Sequence, residues 1–218
     1  MPPFLHKKSI WISLFISLVI IILSFFYSRG YLIRHQKNYF SPKQYQQIYQ
    51  STNNGLIIGP DDAPNKIEIY SSLLCRACAN FSLHQLPEII NQYVKSNRAK
   101  IIIHPMPPRE TMKASICAWQ QGRLLEYEQY FFNHQQEFFH DQNSQEIISF
   151  SYQTKLNSDL FKKCYQDQNQ IYNKIIQNWL NQSEKNKIKY TPTIFVNGKE
   201  IIYDGRSEVI DRIGEKLK

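Results

Sequence analysis

Cys75 and Cys78 enclose Arg76-Ala77 in a C-x-x-C pattern that directly follows a β-type run and opens a stretch of helical apolar spacing. A sulfur at a helix start meets unpaired backbone N–H groups and the positive end of the helix dipole, both of which favour the thiolate. Arg76 would add a positive charge beside it, with Ala77 as the other intervening residue. One helical turn on, Cys78 is within reach to resolve a mixed disulfide. The pattern therefore predicts Cys75 as nucleophile and Cys78 as resolving thiol of dithiol–disulfide exchange. An inert disulfide or half of a zinc site would show the same spacing. Zinc is disfavoured, because the remaining cysteines, Cys117 and Cys164, lie far apart and have no neighbouring histidine. His84, His104, His134 and His140 share no ligand spacing, so no metal site is expected.

Far along the chain, Tyr190-Thr191-Pro192-Thr193 stands just before a strand-like run. A cis proline here would offer the Thr191 backbone to an extended peptide as if adding a strand, and would spare a ladder hydrogen bond. A trans proline that merely starts a strand would have the same sequence, and the residues leave both open. Thr191 and Pro192 are candidate substrate-binding residues.

The elements that must position these groups follow from periodicity. Residues 56–58 and 67–71 are short β-type runs, separated by the turn formers Gly59-Pro60-Asp61-Asp62-Ala63-Pro64. A helix should begin at about Cys75 and run through Phe81, Leu86 and Ile90 to Tyr93 or Val94, kinked at Pro87. Residues 100–104, centred on Ile101-Ile102-Ile103, form the next strand. From 108 to about 188 the strand signal gives way to helical spacing, as in Met112, Ile116 and Trp119, or Ile171, Ile175 and Trp179. Residues 193–196 and 201–203, joined through Asn197-Gly198, read as a hairpin with a type I′ turn. A last helix over 207–217 would be capped by Ser207. The expected class is α/β with a helical insertion, contained in residues 55–218.

The 218 residues carry a formal charge of +8, which suggests nucleic acid at first sight. All 18 acidic residues, however, lie after residue 54, together with 20 of the 26 basic ones, so the folded part is almost balanced. No basic patch interleaved with aromatics appears there, and nucleic-acid binding is not expected. The basic excess flanks residues 9–28, an uncharged and mostly apolar run between Lys7-Lys8 and Arg29, Arg34 and Lys37. At ~1.5 Å per residue it would reach about 30 Å, the thickness of bilayer hydrocarbon. A cleaved signal peptide is the weaker reading, since the run is long and ends in Phe25-Phe26-Tyr27 without an A-x-A site. The expectation is a short tail at 1–8, a transmembrane anchor at 9–28 and a polar tether at 29–54. The flanking charges, two before and three after, would by themselves keep the domain in the cytosol. The thiol chemistry asks for an oxidising compartment, and long domains translocate despite so small a charge difference.

Four segments together give residues 55–218 a resemblance to the DsbA-like thioredoxin-fold family of bacterial extracytoplasmic disulfide oxidoreductases. They are Gly59-Pro60-Asp61-Asp62-Ala63-Pro64, the strand running into Cys75-Arg76-Ala77-Cys78, Ala114-Ser115-Ile116-Cys117-Ala118, and Thr191-Pro192-Thr193-Ile194-Phe195-Val196-Asn197-Gly198-Lys199. The resemblance implies a thioredoxin fold with an inserted helical domain, and a cis Thr191–Pro192 bond facing Cys75. It also implies a structural disulfide between Cys117 and Cys164, against the alternative of two buried free thiols. The implied activity is oxidation of thiol-bearing protein substrates without a cofactor. The protein would be a single-pass bacterial inner-membrane protein with its catalytic domain on the periplasmic side, reoxidised there by a membrane partner such as a quinone-linked oxidase. Isomerase or reductase action by the same fold is the alternative within this class, and a non-catalytic membrane-tethered chaperone or assembly factor is the alternative outside it. Two features depart from the family. Arg76-Ala77 replaces the usual aromatic or proline with His or Tyr, and Ile69 stands where relatives place a buried Glu, with Glu68 on the opposite strand face.

Overall fold

The computed structural model describes residues 17–22, 48, 50–141, 144–205 and 209–217, His140 and Asp141 by their backbone alone. The chain divides into two units, Met1–Asn38 and Tyr39–Lys218. In the first, residues 17–22 are helical, with Leu18 to Ile22 exposed. Most of the expected anchor and tether lies outside the described residues, among which no helix is long and apolar enough to cross a membrane.

The second unit is built on a five-stranded sheet. Its strands are β1 (Leu56–Ile58), β2 (Asn65–Ser71), β3 (Ala99–Pro105), β4 (Thr193–Val196) and β5 (Lys199–Ile201), in the spatial order β1-β3-β2-β4-β5. β2 and β3 run parallel and every other pair is antiparallel. Ile67 and Ile69 of β2 align with Ile101 and Ile103 of β3 and with Val196 and Ile194 of β4, and all six are at most 2% exposed. Period-two alternation thus gives the sheet one fully apolar face. Gly59 turns the chain after β1 at φ +102°, and a Cβ there would meet Val94 at 2.6 Å, so the close approach and the backbone angle both require glycine.

After β2 the chain forms α1 (Arg76–His84) and α2 (Leu86–Ile89), followed by a π-helical turn at Ile90–Val94. This differs from the single kinked helix expected over 75–94. Cys75 is the N-cap and not a helical residue, and the helix breaks at Gln85, ahead of Pro87. Proline lacks the N–H that would continue α1, so it serves instead in the first turn of α2, where that N–H would be unpaired anyway.

Between β3 and β4 come six helices: α3 (Arg109–Trp119), α4 (Leu124–Asn133), α5 (Gln135–Asp141), α6 (Ser144–Tyr152), α7 (Ser158–Gln166) and α8 (Gln170–Lys185). Met112, Ile116, Tyr127, Phe131, Phe161, Tyr172, Ile175 and Trp179 are buried within this block. α7 and α8 open on Asn157 and Asn169, whose side chains accept the backbone N–H of Leu160 and Ile171. The Trp179 indole donates to Thr52 O at 2.8 Å, tying α8 to the segment ahead of β1. The hairpin turns at Asn197 (φ 50°) and Gly198 (φ 80°), as a type I′ turn requires. A two-residue turn restarts the ladder at once, pairing Val196 with Lys199. β5 is therefore Lys199–Ile201, two residues earlier than apolar character alone suggested, and Ile202 is left exposed. The last helix, α9, is Ile210–Gly214, with Ile210 and Ile213 buried; Ser207 lies outside the described residues.

Candidate active site

The two parallel central strands end at one edge of the sheet, where three loops meet. The loop after β2 brings Cys75, the loop after β3 brings Met106 and Pro107, and the segment before β4 brings residues 188–192. Each is fixed by local chemistry. Cys75 N–H bonds Ser72 O at 3.0 Å, and the Ser72 hydroxyl donates to Pro107 O at 2.6 Å, linking the first two loops. The third leaves α8 through a C-terminal cap with Lys187 in the left-handed region (φ 56°). There Lys187 N–H bonds Glu184 O and Ile188 N–H bonds Ser183 O, both at 2.9 Å. The chain then runs to Thr191, and the Thr191–Pro192 peptide is cis, as is Pro107–Pro108.

Cys75 and Cys78 both carry free thiols, the first half-buried and the second fully buried. As N-cap of α1, Cys75 accepts the Cys78 backbone N–H at its Sγ (3.3 Å), and its thiol faces Thr191 O at 3.2 Å. The structure thus brings Cys75, Cys78 and Thr191-Pro192 together. Hydrogen bonding from the Cys78 thiol, with Thr191 and the backbone N–H groups of Cys78 and Ala77, outweighs partial burial and holds the Cys75 thiol down at about 5. Burial, and next the hydrogen bond that it donates to the Cys75 sulfur, push the Cys78 thiol up. One sulfur is thereby set as a thiolate at neutral pH and the other as a protonated thiol. Arg76 and Ala77 are exposed, and the main influences on Cys75 come from hydrogen bonds, not from the Arg76 charge.

A groove of about 320 Å³ opens beside Cys75, lined by Ser72, Leu74, Met106, Pro107 and the segment from Ile188 to Thr191. One contributor had no sequence signal. Gln135, first residue of α5 and only 5% exposed, donates from its amide to Leu73 O at 2.6 Å and Cys75 O at 3.3 Å. The insertion therefore grips the cysteine loop directly. Glu68 plays no such part. His104, 3.5 Å away, and Lys66, 2.8 Å away, hold its carboxyl down at about 2 on the other sheet face, while Ile69 is buried on the apolar one.

Cys117 of α3 and Cys164 of α7 form a disulfide with Cα atoms 5.7 Å apart, both cysteines being buried. Among the described residues no three His, Cys, Asp or Glu side chains could hold a metal ion.

The model of the family described as "Thioredoxin" matches residues 51–213. The chain belongs to the thioredoxin family. Within it, the fold is similar to that of oxidised BdbD from Bacillus subtilis, at TM-score 0.61 and 19% identity, over 75% of this chain and 93% of that one. Chlamydia trachomatis DsbA (TM-score 0.59, 17% identity, 75% and 90% covered) and Wolbachia pipientis alpha-DsbA1 (0.59, 23%, 75% and 92%) are similar to the same degree. No curated protein matches the chain by sequence.

Proposed function

We propose that the protein is a thiol:disulfide oxidoreductase that introduces disulfides into thiol-bearing proteins outside the cytoplasm. The observation that carries this is the asymmetry of the cysteine pair: Cys75 caps α1 with its thiol held near 5, while Cys78 is buried and protonated. Stabilising the Cys75 thiolate stabilises the reduced enzyme, which makes the Cys75–Cys78 disulfide a strong electron acceptor. A substrate thiolate attacks Cys75 Sγ, the Cys75–Cys78 bond breaks, and Cys78 leaves and takes up a proton. A second substrate thiolate then attacks the substrate sulfur of the mixed disulfide and expels Cys75 as a thiolate. Two electrons pass to the enzyme, the substrate gains one disulfide, and Thr191 O beside Cys75 gives the substrate backbone a pairing partner. The structural matches named BdbD and DsbA support this reading.

Reoxidation falls to a membrane partner, a quinone-linked oxidase, with residues 9–28 anchoring the chain in the bacterial inner membrane and the catalytic domain on the periplasmic side. The apolar run between basic flanks supports the anchor, and the Cys117–Cys164 disulfide supports an oxidising compartment.

The test is the reduction potential of the full chain in glutathione buffers, with the Cys75 pKa read by alkylation. A potential near the about −120 mV of a strong disulfide oxidant, with a pKa near 5, is expected. A value at or below about −270 mV would overturn the oxidase direction in favour of a reductase, or of a structural disulfide if exchange is also slow. Labelling of Cys75 by a membrane-impermeant maleimide in intact cells checks the compartment.

A further inference from the structure

Around the groove each of the three loops contributes cations. Arg76 stands exposed next to Cys75, and Arg109 opens α3 two residues beyond the Pro107 lip. On the facing lip, exposed Lys189 lines the groove itself and exposed Lys187 lies at the turn that feeds it. Among the described residues that line the groove there is no carboxylate. Carboxylates lie nearby, since Glu200 of β5 accepts the hydroxyl of the lining residue Tyr190 at 2.5 Å and Glu110 follows Arg109 in α3. The ion pairs among the described residues join Lys66 and His104 to Glu68, and Arg123 to Glu126, and include none of these four cations. Arg109 donates to the neutral Gln177 amide. The groove also has apolar lining from Leu74, Met106, Pro107 and Ile188.

From this juxtaposition we infer that the groove selects a particular class of substrate: extended protein segments in which the reacting cysteine has an apolar neighbour and acidic residues within about three positions. The inference rests on the oxidoreductase reading above and adds specificity to it. An extended peptide advances about 3.3 Å per residue, so with its cysteine at Cys75 its next few residues run along the groove that Lys189 also lines and past Arg76 beside Cys75. Each unlike charge within roughly 7 Å favours association about threefold in water, and several around a low-dielectric cleft also speed the encounter. Acidic flanks are thus attracted and basic flanks repelled.

The experiment uses the oxidised full chain in detergent and single-cysteine peptides alike except for flanking Glu, Gln or Lys. Flanking charge also changes a peptide's own thiol pKa, so the readout is the wild-type rate constant divided by that of Lys189→Glu for the same peptide. This quotient should be roughly tenfold for the Glu peptide, about one for the Gln peptide and about a tenth for the Lys peptide, since Lys189→Glu turns an attraction of about threefold into an equal repulsion and the reverse. Raising salt to about 0.5 M should collapse the difference. Equal quotients for the three peptides would overturn the charge selection while leaving exchange intact. Absence of exchange with any peptide, and with glutathione disulfide after reduction, would instead overturn the oxidoreductase reading, and this inference with it.

Discussion

Two pairs of cysteines in one small domain meet opposite fates, and the difference lies in where each sulfur sits on its helix. Cys75 caps α1, half-exposed, with the Cys78 N–H aimed at its sulfur and an open groove beside it. Cys117 and Cys164 are buried in the bodies of α3 and α7, where the backbone N–H groups are already bonded within the helix and no approach is open. The cap makes a thiolate and exposes it to exchange. The helix body makes a staple. Reactivity here belongs to the position in the helix more than to cysteine itself.

The largest expected effect breaks the first pair. Cys75→Ser should abolish disulfide exchange, whereas Cys78→Ser should keep nucleophilic attack and accumulate mixed disulfides with substrate, visible on non-reducing gels. The same pair predicts a pH dependence. Only the reduced enzyme has a Cys75 thiol whose folded-state pKa, about 5, lies below the ordinary 9.0. Relative to the oxidised enzyme, the reduced one should therefore gain stability from Cys75 as pH rises from 5 to 9, with no change below 5, while above 9 the raised Cys78 thiol acts the other way, because the unfolded chain ionises it and the folded one does not. Denaturation of both forms across that window checks the sign.

Breaking the second pair should cost stability and leave the chemistry of the first almost untouched. The bond spans a sequence separation of 47. Chain-entropy reasoning for a loop of that size gives about 4 kcal/mol. A Cys117→Ala/Cys164→Ala double variant should lower the urea midpoint accordingly while the alkylation pKa of Cys75 stays near its wild-type value. A moved pKa would mean that the two regions are not independent.

A third effect concerns the seam between them. Glu128 of α4 is buried where the insertion meets α1 and α2, facing Ser82 and Leu86 and accepting the Ser115 hydroxyl at 3.2 Å. Burial raises its carboxyl to about 7. Since the folded pKa exceeds the usual 4.5, the Glu128 contribution to stability is greatest below pH 4.5 and is lost as pH rises from there through 7, by roughly 3 kcal/mol for a shift of this size. Glu128→Gln should flatten that part of the stability profile, and an unchanged profile would assign the dependence elsewhere.

The cysteine site was legible in the sequence because its parts are local: a C-x-x-C between strand and helix, a Thr-Pro ahead of a strand, an Asn-Gly turn. The helical block was legible through its apolar spacing. What escaped is set by contacts between distant segments. Nothing near residue 135 marks Gln135 as a partner of the Leu73 and Cys75 carbonyls, 62 and 60 residues earlier. The Glu128 shift arises from burial under another helix. The chain breaks at Gln85 instead of kinking within one helix because the missing N–H of Pro87 suits it to the start of the next. Arg76 is the cation next to Cys75 in sequence, but an exposed charge in water counts for less than hydrogen bonds made to the sulfur.

The smallest expected effect joins the two regions most directly. The Gln135 amide offers two N–H groups to the carbonyls of Leu73 and Cys75, and Cys75 O also accepts the Ala79 N–H that begins α1 at 3.0 Å. Gln135→Leu removes both donors and leaves the Leu73 carbonyl facing an apolar side chain, at a cost of about 1–2 kcal/mol. With the loop less firmly held, Cys75 Sγ should meet the Cys78 N–H less well, so its pKa should rise and the disulfide become less oxidising. A purely structural role would lower the unfolding midpoint and leave both quantities alone. Gln135→Glu separates the two further: ionised, the carboxylate has no donor and repels the carbonyls, while protonated it regains one. Recovery of the wild-type exchange rate as that carboxyl protonates would assign the effect to the hydrogen bond and not to side-chain volume.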